Sequence, residues 1–413
     1  MISYPDALAT VREVATPLAP VTVNVRYAAG RVSAAVTEGL HPVPPFDNSA
    51  MDGFALRSAD TAAASPANPV VLAVTDLLTA GENASQFSVT AGGSCEIMTG
   101  APLPRGADTV VPVEQVELQR DAAGKPTAIV LRAPAEPDRN LRRAGEDFAA
   151  AAPLLQPGNL LTPADVMGLA ATGREEIRVY PAPRIAAITT GNELSDSAGL
   201  EPGMIHDANG PYLAAMLPAF GADFAGLFRS GDRAGQLIDR ITALPDVDMI
   251  VTTGGVSAGR LDFVPAVLEQ MGADILFHKV ALRPGKPLLF ARLADGRLVF
   301  ALPGNPIAVA VGMRFFVLPA MRALQHQPAE TFASAQLSAT VGKKPGLTFF
   351  AKARAALDDD GSYRVTVLPG QESFKIRPLM AANCWAILPA AAAEVPAGTA
   401  VQIAPLAGPH WSL

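Results

Sequence analysis

Between residues 249 and 306 the chain sets out anion-binding chemistry in close succession. The apolar run 249–251 has the length of a buried strand, and Thr252, Thr253, Gly254, Gly255 and Ser257 follow it directly. Glycines after a strand let backbone N–H groups approach a ligand, and hydroxyls bind anionic oxygens. Asp262 is placed to cap a helix that carries Pro265 in its first turn. Lys279, Arg283 and Lys286 bring three cations within eight residues, and Pro284, Gly285 and Pro287 hold that segment out of regular structure. The apolar run 298–302 ends in Pro303, Gly304, Asn305 and Pro306, with Asn305 as expected N-cap and Pro306 as first helical residue. Any one of these features also serves merely to close a tight βα loop. Together they point to an anionic, phosphorylated ligand at the carboxyl end of an open α/β sheet.

Other polar clusters lie outside this stretch. Asp47, Asn48, Ser49 and Asp52 surround a Met-Asp-Gly turn flanked by Phe46, Met51 and Phe54. Such residues often only form a turn, but a packed polar loop more often carries function. Thr99 and Gly100 close a short strand, where Thr99 serves either a ligand or the turn itself. Arg142 and Arg143, in the charged segment that ends at Asp147, are either a solvated face or an anion clamp. Glu193 follows a strand over 185–189, and Asp232 heads a helix over 232–244 as its expected cap. No His/Cys cluster and no Ser–His–Asp order is present, so the protein is not expected to supply a nucleophile.

These groups must be positioned by several domains, because 413 residues exceed one ordinary core. Charged residues at 17% and hydrophobic ones at 49% describe a globular chain. A formal net charge of −7 argues against general nucleic-acid binding, so an anion site must be a local cationic patch. Cys95 and Cys384 lack metal-ligand spacing. The first residues read as a helix rather than a signal peptide, and the apolar segment 307–318, interrupted by Arg314, reads as too short and too polar to cross a bilayer. A cytoplasmic protein without membrane contact is expected.

Periodicity divides the chain. A helix is expected over 4–16, a strand over 21–25, and a short helix or turn over 30–40. Short apolar runs at 70–74, 94–98, 109–113 and 128–131 alternate with Gly- and Pro-rich turns, as in a β domain. From 184 to 323 strands and helices alternate, which implies a doubly wound, mostly parallel sheet. After residue 325 short strands return, as in a small β-barrel or sandwich.

Segments such as P-P-F-D-N-S-A-M-D-G-F-A, N-L-R-R-A-G-E-D, T-T-G-N-E-L, D-A-N-G-P-Y-L, T-G-G-V-S-A-G-R-L-D-F-V, R-P-G-K-P and L-P-G-N-P occur in this order. They resemble the molybdopterin molybdenumtransferase family, the bacterial molybdenum-insertion enzymes to which the C-terminal part of gephyrin also belongs. The resemblance covers most of the chain. It implies a connecting domain (1–45 and 148–177, with 1–26 able to pack on the α/β domain), an elongated β domain (46–147), an α/β molybdopterin-binding domain (178–326) and a C-terminal β-barrel (327–413). It implies insertion of molybdenum from molybdate into adenylylated molybdopterin, with release of AMP and help from Mg2+ or a similar divalent cation. It implies a homodimer with a shared site, and passing contact with the adenylylating enzyme and recipient molybdoenzymes.

On the matching positions the resemblance assigns Asp52, Glu193, Asp262 and Lys279 to catalysis, with Asp52 and Glu193 as metal or molybdate ligands. Substrate binding falls to Thr99, Arg142, Asp147, Asp232, Gly254, Gly255, Ser257, Arg283, Lys286, Pro303, Gly304 and Asn305. The C-terminal segment departs from the family, with Arg377 and Pro378 where small hydroxyl residues are common; Lys352 or Arg354 is then open as its cation. Two other functions fit parts of the pattern: adenylylation of molybdopterin, and a gephyrin-like scaffold. The additional domains argue against the first, and the absence of a long disordered linker against the second.

Overall fold

The computed structural model describes residues 1–195, 197, 199–256, 263–359 and 361–407. Helix α1 (Tyr4–Val14) is capped by the Ser3 hydroxyl and buries Tyr4, Ala7 and Val11. That face packs into the core of the α/β sheet rather than against the strands that follow it in sequence.

Val21–Asn24, Glu176–Tyr180 and Val32–Ser33 form a small antiparallel sheet, joined by helix α2 (Pro163–Ala171). The expected helix or turn at 30–40 is instead two short strands, Val32–Ser33 and Thr37–Glu38. The second pairs with Pro153–Leu155, so pairing with distant strands overrides the helical i, i+3, i+4 spacing of Val32, Ala35 and Val36. A six-stranded sheet carries Gly53–Leu56 between Gly93–Ile97 and Thr109–Pro112. Gly53 is required because a Cβ there would lie 2.2 Å from Val111 O.

The α/β sheet contains β1 (Arg184–Thr190), β2 (Asp223–Ser230), β3 (Met249–Thr253), β4 (Asp274–His278), β5 (Leu289–Arg292) and β6 (Leu298–Leu302), in the order β2-β1-β3-β6-β5-β4. Only β5 runs against the others. Its strands are apolar on both faces because helices cover both. Ile185, Met249, Val251 and Phe300 face α1, α3 (Asn209–Ala219) and α6 (Pro306–Leu324). Ala186, Ile188, Ile250 and Val299 face α4 (Ala234–Thr242) and α5 (Val264–Gln270). Each fully buried large side chain contributes about 1.5–3 kcal/mol.

Helix α6 corrects the expectation drawn from its apolar length. It continues through Pro319 to Leu324, 19 residues, and is apolar enough to cross a membrane, but its most apolar stretch is 83% buried in protein. A π-turn over Met313–Val317 accommodates the N–H that Pro319 lacks. Arg314, fully buried, is neutralised by Glu330 at 2.8 and 2.5 Å.

The C-terminal strands Thr348–Leu357, Tyr363–Val367, Ala333–Leu337, Ala400–Pro405 and Cys384–Leu388 close on themselves as a barrel, because the first also pairs with the last. Helix α7 (Arg377–Ala381) lies beside it. The two residues Leu282–Arg283 leave the α/β domain and pair in parallel with Thr348 and Phe349 of the barrel.

Candidate functional site

Parallel strands deliver their following loops to one edge of a sheet. Here the loops after β1, β3 and β6 are stitched together there. Thr190 Oγ1 donates to Thr253 O at 3.0 Å, and Gly254 N–H donates to Leu302 O at 3.0 Å. Gly254 has φ +94°, and a Cβ there would lie 2.5 Å from Thr190 Oγ1. Only glycine permits this approach. Asn209, at the start of α3, donates from Nδ2 to Gly304 O at 2.7 Å. Asp207 fixes that helix start by accepting from the N–H groups of Asn209 and Gly210, both at 2.9 Å. Asn209 was not singled out from the sequence; its place two residues after the capping Asp207 is the signal.

Glu193 stands on the first of these loops. Its carboxylate folds back over Gly191, whose Cβ, if present, would lie 2.6 Å from Oε2. Asp232 does not cap α4, whose N-cap is Arg233 without a side-chain bond. Its Oδ2 accepts from Asn192 N–H at 2.9 Å, so it braces the Glu193 loop. Chain reversal puts Asp232 on the sheet edge before the helix begins. Asn305 occupies the N-cap position of α6, but its side chain makes no cap bond. Pro303 is buried beside it.

The cationic segment meets the same edge. Lys279 directly follows β4, and Lys286 shortly precedes β5, whose Leu289 pairs with Ala301 near the carboxyl end of β6. Lys279 has φ +72°, an uncommon and strained conformation for a side-chain-bearing residue. Its N–H donates to Leu288 O at 3.0 Å, and His278 Nε2 lies 3.4 Å from Val256 O. Among the described residues neither Lys279 nor Lys286 has an ion-pair partner, so both charges are free for a ligand. Arg283 is exposed, its guanidinium stacked 5.1 Å from the Phe349 ring centroid.

Gly255 has φ +63°, and a Cβ there would meet Phe263 Cε1 at 2.9 Å and Val264 Cγ2 at 3.0 Å. The protein's own packing therefore demands this glycine, whatever a ligand requires. Ser257 and Asp262 lie outside the described residues.

The barrel borders this edge through one loop. Ile307 N–H, at the start of α6, donates to Ser373 O at 3.0 Å. Lys352 is fully buried and donates from Nζ to Gly370 O, Lys375 O and Glu372 O at 2.7, 3.0 and 3.2 Å. Burial pushes this ammonium below the ordinary lysine pKa. Lys352 is thus an internal post for the loop, not a cation offered to a ligand. Arg354 and Arg377 are exposed.

Asp52 and Thr99 form a second cluster in the β domain. Thr99 N–H and Oγ1 both donate to Asp52 Oδ1 at 2.7 Å, which leaves Oδ2 open. The N–H bond first, then the hydroxyl, holds the carboxyl below the usual aspartate range. Arg142 is exposed on a short strand beside Asn48, and Asp147 is exposed with its N–H donated to Val43 O at 2.9 Å. Arg143 is no clamp: it is paired with Asp47 and Asp138. Asp47 also accepts from Ala144 N–H at 2.8 Å, so it holds the turn together. No hydrogen bond or ion pair among the described residues joins Asp52 to Glu193, and no group of three or more His, Cys, Asp or Glu is arranged to hold a metal ion.

Comparison with known proteins covers the same architecture. Residues 2–173 match the MoeA N-terminal region (domain I and II), 186–323 a probable molybdopterin binding domain, and 334–406 the MoeA C-terminal region (domain IV). The chain is 39% identical over 366 residues to a molybdopterin molybdenumtransferase of Synechococcus elongatus, covering 87% of this chain and 88% of that one. It is 36% identical over 415 residues to molybdopterin molybdenumtransferase 2 of Mycobacterium tuberculosis, covering 98% and 99%. The crystal structure of a molybdopterin biosynthesis MoeA protein from Pyrococcus horikosii superposes with a TM-score of 0.83 at 28% identity, covering 99% of this chain and all of that one.

Proposed function

Because the chain belongs to the molybdopterin molybdenumtransferase family, we propose that its stitched loop edge carries out the molybdenum-insertion step of molybdenum cofactor biosynthesis. The substrates are molybdate and adenylylated molybdopterin. The phosphoanhydride is cleaved, AMP leaves, and molybdenum is taken up by the two dithiolene sulfurs. The observation that carries this reading is the free pair Lys279 and Lys286 at the same edge as the Gly254 turn. A polyanionic substrate needs such cations and glycine turns. Lys279 and Lys286 bind its anionic oxygens; Gly254, Gly255, Gly304 and Asn305 shape the floor; Asp232 positions the Glu193 loop.

Mg2+ keeps several waters and binds through one or two carboxylates plus substrate phosphates, so the described donor set fits it without a three-carboxylate cage. The exposed carboxylate of Glu193 and the open Oδ2 of Asp52 would hold it, and it would supply charge neutralisation at the anhydride. Asp52 and Glu193 stand in different domains, which supports a homodimer in which one protomer's β domain faces its partner's α/β domain. Thr99, Arg142 and Asp147 then border the substrate from the β domain. We place this chemistry in the cytoplasm, with transient contacts to the adenylylating enzyme and to recipient molybdoenzymes.

The test is an AMP-release assay with adenylylated molybdopterin. Molybdate-dependent AMP release is expected. ATP consumption with unmodified molybdopterin, and no release with molybdate, would overturn the reading in favour of an adenylyltransferase. Light scattering should give about twice the 42.7 kDa of one chain.

A further inference from the structure

A second cationic cleft, of about 520 Å³, lies between α1 and the C-terminal end of α6. Helix α6 starts at the loop edge and runs 19 residues, about 28 Å at 1.5 Å per residue, so its far end is remote from the proposed insertion site. Arg12 of α1 and Arg322 of α6 both line the cleft. Arg12 is exposed and has no hydrogen-bond or ion-pair partner among the described residues. Among the described residues Arg322 donates only to a carbonyl, Pro328 O, at 2.8 and 3.3 Å. Among the described residues the one carboxylate that lines the cleft, Glu330, is already bound by both guanidinium arms of Arg314. Three guanidinium groups against one carboxylate leave two positive charges uncompensated there.

The floor adds an unsatisfied donor. Tyr4 is 9% exposed, and its hydroxyl has no hydrogen-bond partner among the described residues. Its ring is fixed edge-on against Phe350 and Phe316, with centroids at 5.0 and 5.6 Å. Tyr4 lines the same cleft, and burial pushes its phenol pKa well above the ordinary tyrosine range. A buried hydroxyl without a partner costs stability unless something accepts from it. The remaining walls mix apolar side chains, Leu8, Pro319 and Phe332 among them, with the polar Asn159, His326 and Gln327.

We propose that this cleft binds a small organic oxyanion, a carboxylate or phosphate ester with an apolar body, held by Arg12, Arg322 and the Tyr4 hydroxyl. The guanidinium forks match either oxyanion, and the apolar side chains take its carbon body. Bound there, it ties α1 to α6.

The experiment is calorimetric titration of the intact protein with phenyl phosphate, benzoate and inorganic phosphate. Comparing the first two tells phosphate from carboxylate. Tighter binding of one of them than of inorganic phosphate is expected. Arg12→Ala, on an exposed side chain, should weaken that binding about tenfold, the effect of losing one charge-assisted contact. Tyr4→Phe removes only the hydroxyl, and should weaken binding severalfold with the melting temperature unchanged or raised. Absence of saturable binding overturns the site. So do variants that bind as wild type does, since the anion then sits at Lys279 and Lys286.

Discussion

Asp52 takes two hydrogen bonds on one carboxylate oxygen, both from Thr99. The second oxygen takes no hydrogen bond among the described residues, so the turn both orients the carboxylate and favours its ionised form. Asp52→Ala should leave folding and substrate binding largely intact while stopping AMP release. Wild-type turnover in that variant would return Asp52 to a purely structural role.

The same pair sets a pH dependence. The folded pKa of Asp52 is lowered, so the contribution of these bonds is present above the unfolded value, about 3.9, and is lost as pH falls through the folded one. Thr99→Val keeps the N–H bond and removes the hydroxyl, so the titration midpoint of Asp52 should rise. Carboxyl-carbon NMR reads it; an unmoved midpoint would show that the hydroxyl bond is not made in solution.

Lys279 and Lys286 are free cations at one edge, and each charge-assisted contact contributes about 1.5–3 kcal/mol. The double Ala variant should therefore lose roughly a hundredfold or more in affinity for adenylylated molybdopterin. Retained affinity would move the anion site elsewhere.

Glu193→Gln keeps the shape over Gly191 and removes the charge. We expect it to bind substrate yet need far more magnesium for AMP release. If the magnesium titration matches wild type, Glu193 is not a metal ligand; if only substrate affinity moves, it is a substrate contact.

Lys352→Met leaves the carbonyls of Gly370, Glu372 and Lys375 without their donor. Chemical denaturation should show a loss of about 3 kcal/mol. A loss under about 1 kcal/mol would mean that water replaces the ammonium.

Gly255→Val is not a clean probe of ligand binding. Its Cβ would strike Phe263 and Val264 at a positive φ, so the melting temperature itself should fall. An unchanged melting temperature would show that these side chains yield.

Alternation of strand and helix made the α/β sheet legible, because period and burial agree at residues such as Ile185 and Ala186. The glycine turns and the cationic loop were legible for the same reason, since each needs a particular residue at a particular place. What the sequence hid was long-range pairing. Asp232 looks like a helix cap from its neighbours, and only the fold brings Asn192 to it. Lys352 looks like a surface cation until the barrel closes over it. The strands at 32–33 and 37–38 depend on partners more than a hundred residues away.

The two residues lent to the barrel set an order on folding. Leu282 and Arg283 emerge from the ribosome some 65 residues before their partners Thr348 and Phe349. The α/β domain can collapse earlier, since its strands and helices are complete by Leu324. Arg283 cannot settle until the barrel strand has been synthesised, whereas Lys279 and Lys286 are already tied to Leu288 and Val280 within the α/β domain. The rim is therefore finished in two stages, and a nascent protein truncated before Thr348 would carry the loop edge with Lys279 and Lys286 held but Arg283 without its strand partner.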